Sequence, residues 1–255
     1  IIFENMDKTI ALDITAGEAL PLMEAFYTLQ GEGYHKGAAA FFIRIGGCDV
    51  GCHWCDVKES WNPEIHPATP ITKIVAQAKE YSKTVVVTGG EPLMITGQAA
   101  SMGIYKALKE KNNLPKSMTF ETNGTQKLKE PFKQWIKDIP EEIFFSVSPK
   151  LFTVSGEKTE KAIKPENVAE YTECSSRGQL KFVVGSADRE WDEMEDTVKK
   201  FRDAGVDWPV WIMPTGAREE EQTATAGKVA EKAFKKGYNV AARVHVYLFG
   251  NAIGT

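Results

Sequence analysis

Three of the chain's four cysteines, Cys48, Cys52 and Cys55, fall within CDVGCHWCD with the spacing C-x3-C-x2-C. Spacing this short lets one loop wrap a single metal centre. A structural zinc site closes four tetrahedral positions, usually with two separated ligand pairs, and no second pair follows. His53 sits between two of the cysteines, so its ring turns away from a metal they would bind. A CxxC redox pair would use Cys52 and Cys55 and leave Cys48 without a role. An iron–sulfur cube fits the set better. Thiolates hold such clusters, normally four for four irons. Three thiolates leave one iron open to a small molecule that carries an amine and a carboxylate. Cys174, in YTECSSRG, is far away along the chain and reads as a half-buried bystander. Four cysteines in 255 residues are too sparse for a disulfide framework.

Such a loop needs a scaffold. AFFIRIGG (40–47), TVVVTGGEP (84–92), SMTFETNGT (117–125), EIFFSVSPK (142–150), QLKFVVGS (179–186) and PVWIMPTG (209–216) read as strands ending in Gly, Pro or small polar residues. RVHVYLFG (243–250) is a seventh apolar stretch of strand character. ITKIVAQAKEYS (71–82), SMGIYKALKEK, REWDEMEDTVKKFRDAG and TAGKVAEKAFKKG carry helical periodicity. Gly205 and Gly237 end the last two, where a C-cap needs a left-handed residue. This alternation predicts an α/β chain with a parallel sheet, arranged as a partial (β/α)6 barrel and forming one domain over residues 1–255. TVVV is apolar on both faces, as a doubly covered strand must be. In such barrels the chemistry sits where strands end. The strand ends here hold Cys48, Thr88-Gly-Gly-Glu, Glu121-Thr-Asn-Gly, Ser146-Val-Ser-Pro-Lys and Met213-Pro-Thr.

The formal net charge is −4 with Lys and Arg scattered, which argues against nucleic acid as a partner. No apolar run approaches the roughly 20 residues that span a bilayer. The opening IIFENMDKTIALD lacks the order of a secretory signal, so the expected location is cytoplasmic.

The C-x3-C-x-aromatic-C pattern, with Trp54 at the aromatic position, resembles the signature of the radical S-adenosylmethionine (SAM) enzymes. TGGEP resembles that family's glycine-rich SAM motif; Gly89 and Gly90 let backbone approach a ligand, and Glu91 adds a carboxylate. The resemblance implies a [4Fe-4S] cluster on Cys48, Cys52 and Cys55, SAM on the open iron, and a barrel of the radical SAM type. LPLMEAFYTLQGEGYHKGAAAFFIRIGGCDVGCHWCD narrows it to the family of 7-carboxy-7-deazaguanine synthases, and the likeness continues through VTGGEPL, ETNGT, SVSPK, LKFVV and IMPTG. These enzymes contract 6-carboxy-5,6,7,8-tetrahydropterin to 7-carboxy-7-deazaguanine with loss of ammonia, on the path to queuosine.

That resemblance implies roles residue by residue. Leu29, Gln30, Gly31, Glu32, Arg44 and Thr88 fall to the pterin, and Arg44 to its carboxylate. A guanidinium in the apolar strand FFIRI must find an anion or reach solvent. Glu121 faces the pterin or caps a turn. The α-carboxylate of Thr255 reaches the substrate. Trp54, Cys55, Asp56, Gly90, Glu91, Ser148, Pro149, Lys150, Gln179 and Lys181 fall to SAM. His245 is a pocket residue or a satisfied histidine in an apolar strand. A flavodoxin- or ferredoxin-type donor and a homodimer are further implications. One position departs from the family. Ser or Thr usually follows the Cys-Asp pair and binds Mg²⁺, but here it is Val57, which has no oxygen for a hard cation. Mg²⁺ is then held by substrate, water and other residues such as Asp56 or Ser60, or a fixed charge such as Lys58 replaces it, or the site is empty. Two rival readings remain: a glycyl-radical-enzyme activase, and a non-catalytic cluster- or zinc-binding protein.

Overall fold

The computed structural model describes residue 14, residues 16–79 and 84–250, and residue 254. One nine-stranded sheet organises them in the order β3-β1-β2-β4-β5-β6-β7-β8-β9. Its strands are β1 (Ala19–Leu29), β2 (Ala39–Ile45), β3 (Ala68–Pro70), β4 (Thr84–Gly89), β5 (Ser117–Thr122), β6 (Ile143–Val147), β7 (Gly178–Val184), β8 (Val210–Pro214) and β9 (Asn239–Val240). From β2 to β9 every pairing is parallel. The two strands at the other edge are antiparallel, β1 to β2 and β1 to β3.

Six of the parallel strands are those expected from the sequence. Helices Ile95–Glu110, Glu130–Asp138, Pro165–Cys174, Asp188–Asp203 and Glu219–Lys235 return the chain between or after them. Gly205 and Gly237 follow two of these helices with φ of +89° and +76°, the left-handed geometry of a helix stop.

Period-2 alternation sorts the side chains. Ile43 and Ile45 of β2, Val85 and Val87 of β4, Phe120 of β5, Phe145 of β6, Phe182 of β7 and Ile212 of β8 join the core beneath the helices. Their neighbours Arg44, Thr88, Glu121, Ser146, Lys181 and Met213 all line one cavity instead. One face of six adjacent strands meets in that cavity, so the sheet curves around it as a partial barrel.

Three local expectations are corrected. RVHVYLFG is a helix, Val244–Phe249, and the last strand is the short β9 before it. The backbone bonds of this helix are local, Val246 N–H to Arg243 O at 3.1 Å and Gly250 N–H to Val246 O at 2.9 Å, and only its Val246 is buried. Of the helix expected over 71–82, Ile71–Val75 is helical with Ile71, Ile74 and Val75 buried, turns carry the chain on to Ala78, and residues 80–82 lie outside the described residues. MEAFYTL adds strand that no apolar run marks: past Pro21, β1 pairs with β2 alone among the described residues and is only intermediately buried.

Phe120 is fully buried, with ring centroids of Phe132 and Phe145 at 5.5 and 5.8 Å. Phe120→Ala is expected to destabilise the fold by about 3–5 kcal/mol, read as a lowered urea midpoint at unchanged slope.

Candidate functional site

The cavity is about 430 Å³. Its floor is LQGEG, which turns from β1 toward β2 and lies across the barrel. Glycine lets this loop press flat. A Cβ on Gly31 would sit 1.7 Å from His245 Nδ1, and one on Gly33 2.3 Å from the Gln179 amide. Below it Tyr34, His35, Phe144 and Trp211 form an aromatic plug.

Cys48, Cys52 and Cys55 are free thiols on the cavity wall. Backbone bonds fix their loop from several sides. Gly47 N–H donates to Ser60 O at 2.7 Å, Glu91 N–H to Gly47 O at 2.7 Å, and His53 N–H to Ser155 O at 2.9 Å. Gly51 N–H donates to Glu157 Oε2 at 2.8 Å. The Gly-Gly turn packs directly on the loop: a Cβ on Gly90 would lie 2.1 Å from Gly47 O and 2.9 Å from Cys48 Cβ. Burial pushes the Cys48 thiol up to about 12, with Glu91 and Asp49 adding to it and Lys150 opposing. Burial likewise raises Cys52. Such thiols become thiolates when a cationic centre binds them. Among the described residues no three His, Cys, Asp or Glu side chains gather to hold a single metal ion. Three free thiols beside an open cavity fit a cluster that takes one thiolate per iron and leaves one iron for a ligand.

The polar groups inside the barrel form three sets. Gln30 Nε2 donates to Glu121 Oε1 at 2.8 Å, and Thr88 Oγ1 to Glu121 Oε2 at 2.8 Å. Arg44 Nε donates to Glu24 Oε1 at 2.7 Å, its antiparallel partner across β1 and β2. Glu32 pairs with Lys181 and, at 3.2 Å, with Arg243, whose Nη1 donates to Asp56 Oδ2 at 2.9 Å. Burial opposes the Glu32 charge, but Lys181, Arg243 and His245 outweigh it and hold the carboxyl below the usual range. Cations and carboxylates thus alternate around a space fit for a small, flat, charged ligand.

Most residues singled out in the sequence meet there. Leu29, Gln30, Gly31, Glu32, Arg44, Trp54, Cys55, Asp56, Thr88, Gly90, Glu121, Ser148, Lys150 and Lys181 all line the cavity. Three do not. Glu91 is fully buried, its carboxylate taken by Thr122 Oγ1 at 2.7 Å, Asn123 N–H at 2.7 Å and Leu93 N–H at 2.8 Å. It ties the Gly-Gly turn to the end of β5, and its carboxylate is turned inward from the cavity wall. Gln179 is held beneath the floor by Ser146 and by Tyr34 N–H. Pro149 lies off the cavity wall between Ser148 and Lys150. Thr255 is outside the described residues, though Gly254 lines the cavity. Cys174 packs into the core. His245 is on the cavity wall in a helix, not in a strand, and burial lowers its pKa.

Arg243 and Glu24 were missed. Like Arg44, an arginine opening the apolar RVHVYLFG must find an anion or reach solvent, whereas Glu24 becomes visible only through strand pairing.

Residues 42–225 match the family model of the radical SAM superfamily, and with this barrel and thiolate set the chain is a radical SAM enzyme. It is 32% identical over 262 residues to the 7-carboxy-7-deazaguanine synthase of Halobacterium salinarum, covering 92% of this chain and 93% of that one. It therefore belongs to the 7-carboxy-7-deazaguanine synthase family. The Flavobacterium psychrophilum synthase is 67% identical over 88 residues, a match spanning 34% of this chain and 42% of that protein. The crystal structure of QueE from Escherichia coli shares the fold, with a TM-score of 0.58 at 22% identity, covering 94% of this chain and all of that one.

Two outcomes test the site. Gly90→Ala is expected to lower iron retention after anaerobic reconstitution while the circular dichroism stays native, because the new methyl displaces Gly47 and Cys48. Burial, with Asp49 nearby, raises Glu91 from 4.5 to about 7. Its folded form thus keeps a proton that the unfolded chain releases near pH 4.5. The stability this contributes is whole below pH 4.5 and is lost as pH rises through 7. Measured by urea midpoints from pH 5 to 8, the stability of the native chain relative to Glu91→Gln should fall by up to about 3 kcal/mol.

Proposed function

We propose that this chain converts 6-carboxy-5,6,7,8-tetrahydropterin to 7-carboxy-7-deazaguanine and ammonia, with contraction of the six-membered ring and no net redox change. One observation carries the reading: the three cysteines and the LQGEG floor line the same cavity. Cys48, Cys52 and Cys55 would hold a [4Fe-4S] cluster, which with SAM supplies one-electron cleavage and radical initiation. On the thiolate side, Trp54, Asp56, Gly90, Ser148 and Lys150 form the wall for SAM. Lys150 Nζ sits 5.5 Å from the Trp54 ring and 3.1 Å from Ser148 Oγ, so a cation and a hydroxyl are offered together.

On the floor side, Gln30, Glu121 and Thr88 offer the donor–acceptor edge that orients a pterin ring. The Glu121 carboxylate suits the ring's N–H and amino donors. Leu29, Gly31 and Glu32 set the ring's height. Arg44 and Lys181 supply charge for a carboxylate. Both are held by partners, Glu24 and Glu32, so they meet the ligand preorganised. Closure of the barrel by the aromatic plug keeps water from reactive intermediates. The electron comes from a flavodoxin- or ferredoxin-type donor, and the enzyme works in the cytoplasm as a homodimer. Among the described residues no helix is long and apolar enough to cross a membrane.

Anaerobic reconstitution tests the reading. The chain should take up about four irons, and after reduction with SAM and the carboxytetrahydropterin it should yield a product lighter by one ammonia. Cluster uptake and SAM cleavage with no such product would sink the substrate assignment. Iron uptake without SAM cleavage would sink the radical reading as well.

A further inference from the structure

Magnesium, which the family resemblance implies, is not matched by the residues at its position. Val57 lines the cavity and offers no oxygen. The Ser60 hydroxyl donates to Val57 O at 2.7 Å and is buried. Asp56 is engaged by Arg243. Lys58 does not line the cavity; its Nζ lies 5.9 Å from the Trp61 ring, so it is not the fixed charge of this corner. Glu59 remains as an exposed carboxylate at the rim, without companions that complete an ion site among the described residues.

A different cation occupies the corner. Arg243 is 4% exposed and lines the cavity beside Asp56. Its Nη1 is spent on Asp56, but its Nε is buried without a hydrogen-bond partner, 3.2 Å from Glu32 Oε1. That N–H is ion-paired with Glu32 without being aligned for a hydrogen bond, so the guanidinium is held in place at the cavity wall by two carboxylates. Burial works against the charge, yet Glu32 and Asp56 keep the guanidinium protonated. A divalent ion at this corner would have to compete with the guanidinium for the Asp56 carboxylate.

We propose that Arg243 supplies the fixed positive charge facing the ligand at the Val57 corner, so that the anionic pterin is bound and turned over without a divalent cation. This rests on the pterin reading above. A guanidinium fits a carboxylate through two parallel donors, and its charge is independent of metal supply.

The test uses cluster-loaded, SAM-bound protein and isothermal calorimetry with the carboxytetrahydropterin, with chelator or with millimolar MgCl2. For the native chain the affinity should agree within about twofold between the two conditions. Arg243→Gln should weaken binding by about tenfold or more in both, and Arg243→Lys should recover part of the loss. Iron content and circular dichroism report whether each variant has folded. An affinity or a kcat/KM of the native chain that rises about tenfold with Mg²⁺ overturns the assignment, and this arm needs no variant. Native-like binding by Arg243→Gln overturns it too. If the folded, cluster-loaded native chain binds no pterin under either condition, the functional reading falls, and this assignment with it.

Discussion

Four charged side chains from four separate parts of the chain meet inside the barrel, and the site depends on their balance. Glu32 comes from the floor loop, Lys181 from β7, Arg243 from the start of the last helix and Asp56 from the cysteine loop. Removing a buried charge from water costs several kcal/mol, and only good pairing offsets it. Two cations against two carboxylates satisfy that condition, and each pairing joins segments far apart in sequence. The network holds the floor and the thiolate loop in register as well as lining a pocket. Loss of Glu32 would take from Lys181 and Arg243, both nearly buried, the carboxylate they share, whereas Asp56 keeps access to water.

A second constraint is close approach of backbone. The cysteine loop has little regular structure; other backbones and the Glu157 carboxylate hold it, as do Asn123, Thr125 and Gln126 through its Asp49 and Arg243 through its Asp56. Gly89 has φ of +133°, and a Cβ there would lie 2.1 Å from Ile45 O. Gly90 presses in the same way on Gly47. On the opposite side Gly156 leaves room for the His53 imidazole, and Glu157 takes the Gly51 N–H. Small residues on both sides let the loop be clamped without a side chain entering the space where thiolates and ligand meet. Strand alternation completes the arrangement. The same strands that bury Phe120, Phe145 and Phe182 in the outer core must turn Glu121, Ser146 and Lys181 the other way.

Much of this was legible in the sequence for local reasons. Parallel strands buried on both faces stand out as apolar runs, and their polar ends mark the catalytic side. The three-cysteine spacing is a short-range feature that needs no fold to be read. Less legible were elements whose character is set by neighbours. MEAFYTL is a strand because β2 pairs with it. RVHVYLFG alternates like a strand but closes a helix. Glu91 sits in a ligand-type motif, yet three donors draw its carboxylate inward. Gln179 follows the same logic beneath the floor.

The sequence by itself determined the thiolate triad, six of the parallel strands and the glycines, because each is encoded by spacing or by a local steric need. The tertiary structure alone decided which charges face each other: Glu24 with Arg44, Glu32 with Lys181 and Arg243, and Arg243 with Asp56. These partners are 20 to 211 residues apart along the chain. Electrostatic pairing depends on distance in space and on the dryness of the surroundings, and neither is written in local order. For that reason Val57 could be recognised from sequence as a missing oxygen, while the arginine beside its corner emerged only when the chain was folded.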